Sequence, residues 1–200
     1  MFECAVMAKD RVRLKTSAEY KQLKEEKDRF KRRMLFLGFF AEKLREAGSD
    51  AILVGGQAIE VYTGGQFETA DIDIVVSNKP LAEKLLNSLG FGKENEIWYN
   101  KDLNIIVQLV DKPYSGDESK VRRFKIKDFE LKVAAPEDLI VNRLYSAKVW
   151  KSNPQRDLEQ AAAIMKIFSK SMDFGYLRER AKRNGVEDIL DIIEKQFVRS

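Results

Sequence analysis

The chain contains no histidine, and its single cysteine is Cys4. Without histidine, Ser-His-Asp and Cys-His catalysis and every His-liganded zinc site are excluded. One cysteine cannot close an internal disulfide, so a reducing cytoplasm is the expected address. Long apolar runs are missing as well: nothing approaches the ~18 consecutive apolar residues of a membrane span, and no membrane partner is expected. The N-terminal MFECAVMAKD has too short an apolar stretch and no basic lead-in for a signal peptide. What remains for chemistry is carboxylates, lysine, hydroxyls and backbone amides. Carboxylates favour Mg²⁺ or Mn²⁺.

The 200 residues are 44% apolar and 34% charged, enough for a proper core beneath a heavily charged surface. That length suits one domain, or one domain with a helical appendage. Net charge is +4, unevenly spread: Lys9 to Arg33 carries a local +6 and the rest of the chain −2. This basic stretch reads either as a solvated helix of mixed charge or as an arm for an anionic partner. The tether reading predicts nucleic-acid binding that falls steeply with salt, and the solvated helix predicts a flat response.

Thr16-Ser17-Ala18-Glu19 has the pattern of a capping box, opening a helix that runs to about Ala47 and stops at Gly48. Its first half is mostly charge and is expected to project. Its second half, with Met34, Leu35, Leu37, Phe39, Phe40 and Leu44, is expected to dock. A short apolar strand, Ala51–Val54, precedes Gly55-Gly56 and a brief helix over Gln57–Tyr62. A second strand covers Ile72–Val76. Pro80 opens a helix reaching Leu89, and strands follow near Phe91, Ile97–Tyr99, Leu103–Val110, Phe124–Ile126 and Phe129–Val133. From Pro136 the chain reads as helices over about 136–149, 155–169, 174–184 and 186–197. The fold class is α/β (α+β): a mixed sheet with a long N-terminal helix and a C-terminal helical segment. The expected divisions are 1–48, 49–134 and 135–200.

Two stretches carry the chemistry. Asp71 and Asp73 stand two apart on an expected strand, so their carboxylates leave one face and can converge on a single cation. Mg²⁺ suits such oxygen ligands and binds substrate phosphate as well. Gly55 and Gly56 lie between a strand and a helix N-terminus, where exposed backbone amides and the helix dipole favour phosphate. A phosphate cradle beside a metal-binding pair serves phosphoryl or nucleotidyl transfer.

Three motifs in order then carry a resemblance: Val54-Gly55-Gly56-Gln57-Ala58, Thr69-Ala70-Asp71-Ile72-Asp73, and Pro136-Glu137-Asp138-Leu139-Ile140 with Arg143-Leu144 and Arg156-Asp157. The chain resembles the nucleotidyltransferase superfamily, the polymerase-beta-like fold. Its nearer likeness is to small prokaryotic minimal nucleotidyltransferases and abortive-infection or antitoxin-system relatives. The resemblance spans about residues 50–165. It implies Asp71 and Asp73 as catalytic metal ligands for Mg²⁺ (or Mn²⁺), and Gly55, Gly56, Gln57, Thr69 and Arg143 as nucleotide-binding residues. It implies an NTP substrate and a hydroxyl acceptor on a protein, an RNA or a small molecule. Arg143, or Lys120, Arg122 and Arg123, would neutralise the leaving group.

Two departures stand out. The family's third carboxylate lies on a neighbouring strand, here best matched by Leu103–Val110, which offers Asn104 and Gln108 but no acid; Asp102 and Asp111 flank it. The arginine that relatives carry four residues before the first aspartate is Phe67 here. An alternative reading is therefore a catalytically degraded binding partner in a toxin–antitoxin or abortive-infection pair. A partner protein and a homodimer through the N-terminal helix both remain open. Glu137 and Asp138 read as helix-start residues, and Trp98 and Trp150 as core or interface aromatics.

Overall fold

The computed structural model describes residues 17–110 and 113–197. In chain order the helices are α1 (Ala18–Glu25), α2 (Arg29–Glu46), α3 (Gly55–Tyr62), α4 (Lys79–Ser88), α5 (Pro136–Val149), α6 (Pro154–Phe168), α7 (Phe174–Arg183) and α8 (Glu187–Phe197). The strands are β1 (Ala51–Val54), β2 (Asp71–Val76), β3 (Gly92–Glu94), β4 (Ile97–Asn100), β5 (Ile105–Val110), β6 (Arg122–Ile126) and β7 (Phe129–Val133). They fall into two compact units. The first holds the described residues through Val54, then Thr69–Ser115 and Arg122–Val133; the second holds Gly55–Glu68, Gly116–Val121 and the chain from Ala134 onward.

The first unit is built on a seven-stranded mixed sheet in the order β3-β4-β5-β2-β1-β7-β6. β2 lies centrally, antiparallel to β1 and parallel to β5. Ile72 and Ile74 of β2 are fully buried, whereas Asp71, Asp73 and Val75 are not. That alternation is the period-two signature of a strand with one packed face. α2 packs on β7 and β1 through a run of buried side chains, Leu35, Phe36, Leu37, Phe39, Phe40 and Leu44. Phe36 stacks on Phe40 at 5.5 Å between ring centroids, and Phe39 meets Phe129 edge-on at 6.4 Å.

The expected single helix from 16 to 47 is two helices. At the break, the Asp28 carboxylate accepts a hydrogen bond from the Lys31 amide (2.9 Å), capping α2. Arg32 spans the interruption: its Nε donates to the Glu26 carbonyl at 2.8 Å and its Nη1 to the Leu103 carbonyl at 2.9 Å. The turn therefore recovers in side-chain hydrogen bonds what the continuous helix would have supplied through its backbone. α1 does not project, either. Its Tyr20 and Leu23 are buried, and the Tyr20 hydroxyl accepts from Asn100 Nδ2 at 3.4 Å. Thr16 lies outside the described residues; Ser17 caps α1, accepting from the Tyr20 amide at 3.2 Å.

The second unit is helical. α5 packs along α6 and against α7, with Leu139, Ile140, Val141 and Leu144 buried. α3 joins this core through Ala58, Ile59 and Tyr62. The Tyr62 hydroxyl donates to the Ala134 carbonyl (2.7 Å), and its ring meets Phe168 edge-on at 4.9 Å. Each helix from α5 to α8 begins within one or two residues of its expected start. Pro136 and Pro154 occupy first-turn positions, where a missing amide donor costs nothing. Among the described residues, no helix is long and apolar enough to cross a membrane.

One glycine of α2 is set by close packing. A Cβ built on Gly38 would lie 2.8 Å from the Phe129 Cβ, closer than carbon atoms approach. Replacing a mid-helix glycine with alanine favours an isolated helix by about 1 kcal/mol. Here the α2–β7 clash opposes that gain. Gly38→Ala is expected to lower stability by about 1–2 kcal/mol net, read as a lower urea midpoint at unchanged slope; a higher midpoint would show that β7 yields.

Candidate active site

Asp71 opens β2 and Asp73 follows two residues later. Because Ile72 and Ile74 fill the packed face, both carboxylates fall on the other face, where the two residues are half-buried. Their neighbours follow from register. Asp73 stands opposite Val54 on β1 and opposite Gln108 on β5, while Asp71 stands opposite Ile106 on β5. Thr69, just ahead of the strand, donates its hydroxyl to Asp71 Oδ1 at 3.0 Å. Asp73 also makes interactions of its own and is not a bare charge.

The neighbouring strand begins at Ile105, two residues later than expected. Asn104 is therefore not on it, but sits in the preceding turn with φ +50°. Gln108 is exposed on β5, at the register position beside Asp73. Asp102 is exposed in the turn before β5, and Asp111 lies outside the described residues. Among the described residues, no group of three acids, histidines or cysteines is placed to hold a metal. The donors present are two carboxylates and one amide, all hard oxygen ligands. They fit a Mg²⁺ ion that fills its remaining positions with water and phosphate oxygens, and they do not form a closed protein cage.

In the second unit, Gly55 and Gly56 are the first residues of α3. Gly55 has φ +65°, a left-handed backbone that residues with a Cβ strongly avoid. The turn itself thus demands this glycine, and the helix start leaves its first amides without intrahelical partners. Gln57 is fully buried, its Nε2 donating to Glu60 Oε2 at 3.0 Å inside the unit. The resemblance implied a nucleotide-binding residue here; its burial follows from packing around α3, which periodicity over so short a helix does not reveal.

Arg143 is also engaged. Its Nη1 lies 3.2 Å from Asp157 Oδ1, with both side chains largely buried. Arg156, the residue before Asp157, donates Nη2 to the Glu68 carbonyl at 2.7 Å. Two pieces of the third motif therefore meet: Arg143 and Asp157 tie α5 to α6, while Arg156 ties α6 to the segment after α3.

A larger polar network went unread in the sequence. Asp138 Oδ1 accepts from Arg180 Nε at 2.8 Å and from the Tyr176 hydroxyl at 2.9 Å, and Glu137 Oε1 accepts from the Asp173 amide at 2.9 Å. Tyr176 in turn accepts from the Asp117 amide at 2.9 Å. Lys120 pairs with Asp173 at 2.7 Å and lies 4.9 Å from the centre of the Tyr176 ring. Burial pushes the Tyr176 hydroxyl up to about 12, and the Asp138 carboxylate adds to the rise. The Lys120 pairing holds Asp173 below the ordinary carboxylate range and raises Lys120 itself. Glu137 and Asp138 thus sit in the first turn of α5, as expected, and their buried carboxylates also anchor α7 and the 116–121 turn. No local signal marks this, since the partners are 36 to 59 residues apart. Of the remaining basic candidates, Arg123 pairs with Glu130 at 2.5 Å, and Arg122 makes interactions of its own. Phe67 is half-buried. Trp98 is buried, and Trp150 is 70% exposed.

No family model matches the sequence, and no curated protein matches it. Solved structures do. One is a nucleotidyltransferase-like antigenic protein from Paracoccidioides brasiliensis, with a TM-score of 0.55 at 13% identity, over 80% of this chain and 91% of that one. Another is the antibiotic-resistance factor ANT(2'')-Ia, with a TM-score of 0.52 at 12% identity, over 84% and 98%. The fold is nucleotidyltransferase-like.

The Arg143–Asp157 pair has a direct energetic test. Asp157→Ala strands a mostly buried guanidinium, and is expected to cost about 3 kcal/mol of unfolding free energy, read from chemical denaturation. A change under about 0.5 kcal/mol, the scale of an exposed pair, would show that the contact does not hold the helices.

Proposed function

We propose that this chain, with its nucleotidyltransferase-like fold, binds a nucleoside triphosphate with Mg²⁺ (or Mn²⁺) and transfers a nucleotidyl group to a hydroxyl acceptor. The observation that carries the reading is the pair Asp71 and Asp73, turned to one face of β2 by the burial of Ile72 and Ile74. Chain continuity adds to it: Val54 stands opposite Asp73, and the next residue is Gly55, whose left-handed turn opens α3.

In this reading Asp71 and Asp73 hold the cation and Gln108 contributes a neutral amide oxygen beside them. A bound Mg²⁺ supplies positive charge against the triphosphate. The amides of Gly55 and Gly56 donate to phosphate oxygens at the start of α3. The acceptor oxygen attacks the α-phosphorus; a new P–O bond forms as the bond to the β-phosphate bridging oxygen breaks, and pyrophosphate departs with that electron pair. The acceptor's proton passes to water, because the Gln108 amide is not a base at neutral pH. Gln57 is tied to Glu60 within α3, and Arg143 holds α5 to α6 through Asp157.

Isothermal titration with Mg²⁺ and each NTP tests the binding step. Saturable heat that requires the metal is expected, with affinity at least tenfold weaker in Asp73→Ala; no binding at millimolar NTP would end the reading.

Gln108 favours a second reading, a nucleotidyltransferase-fold binding partner in a toxin–antitoxin or abortive-infection pair, because an exposed amide occupies the place of the third acid. Labelled NTPs incubated with cell lysate separate the two. The enzyme labels an acceptor, and Gln108→Asp, which restores a base, is expected to raise its labelling about a hundredfold. A binding module leaves the lysate unlabelled in both forms and co-purifies with a tight protein partner.

A further inference from the structure

We infer that Thr69 is a positioning residue for Asp71 rather than a contact for the nucleotide, an inference that rests on the metal-binding reading above. Asp71 opens β2, and Thr69 stands two residues ahead of it, before a bend at Ala70. Thr69 Oγ1 donates to Asp71 Oδ1 at 3.0 Å. A carboxylate presents about four lone-pair directions. One is taken by Thr69, and the hydrogen bond fixes the rotation of the carboxylate about its χ2 axis.

Asp71 needs such a partner more than Asp73 does. Asp73 has the polar Gln108 opposite it on β5, whereas Asp71 faces Ile106, whose side chain can accept or donate nothing. Left alone against an apolar neighbour, the Asp71 carboxylate would rotate freely and present its oxygens to the cation only part of the time. Threonine suits the task because branching at Cβ restricts χ1, so the hydroxyl is aimed before the bond forms. Partners of this kind tune metal sites: their loss commonly weakens metal binding 10- to 100-fold.

The test compares Thr69→Val, which keeps the shape and removes the donor, with Thr69→Ser, which keeps the donor and loses the branching. Mn²⁺ binding is followed by electron paramagnetic resonance in the presence of a non-hydrolysable NTP analogue, and folding by thermal unfolding. The valine variant is expected to bind Mn²⁺ about tenfold more weakly with an unchanged unfolding midpoint. The serine variant is expected within about threefold of wild type, because it retains the hydrogen-bond donor. Equal Mn²⁺ affinity in wild type and Thr69→Val overturns the inference while the metal-binding reading stands. Absence of Mn²⁺ binding in wild type overturns that reading and the inference with it. A serine variant as weak as valine also overturns it, since the hydroxyl would then not be the operative group.

Discussion

The alternation of β2 is the constraint on which the rest depends. Ile72 and Ile74 are driven into the packed side of the sheet by the removal of their apolar surface from water. Because side chains alternate along a strand, that burial obliges Asp71 and Asp73 to turn together to the opposite face. A slip of one residue would bury both acids, at several kcal/mol each if unpaired, so the register is set strongly. Hydrogen bonding on both edges, antiparallel to β1 and parallel to β5, holds the strand in place. The pairing of acids on one surface is thus a by-product of hydrophobic packing, and chemistry can exploit it without further expense.

The second unit holds its helices by a different means. Buried carboxylates on α5 and α6, namely Glu137, Asp138 and Asp157, each accept hydrogen bonds from groups far away in the chain. A buried carboxylate is destabilising without such partners and specific with them. This gives the third motif, Pro136 to Ile140 with Arg143 and Asp157, a role in the architecture: its charged residues lock helices together. Tyr176 is the hub of the network, its hydroxyl serving as acceptor for Asp117 and donor to Asp138 at once.

Gln108 is the most consequential departure from the pattern that the fold invites. It stands in register beside Asp73, and its amide adds no negative charge to the two carboxylates of β2. Metal and nucleotide binding need only the hard oxygens that remain, whereas fast transfer needs a base as well. In the proposed function, binding and turnover are therefore separable.

Most elements were legible because periodicity and punctuation are local. The β2 strand, the Gly55 turn, the proline-opened helices α5 and α6 and the β6–β7 hairpin all follow from spacing, glycine and proline. The break at Glu26–Asp28 was not legible, because charge patterning there continues a helical period and the stop depends on Arg32 reaching the Leu103 carbonyl. Gln57 showed only its place in a motif, and its burial is a property of what packs around α3. By itself, the sequence determined that two acids share a face and that a glycine turn precedes them, since both are consequences of backbone geometry. Only the tertiary structure decided that Gln108 is the neighbour of Asp73, that Thr69 holds Asp71, and that Arg143 faces Asp157. Those pairings depend on strand register and helix packing, where residues distant in the chain meet.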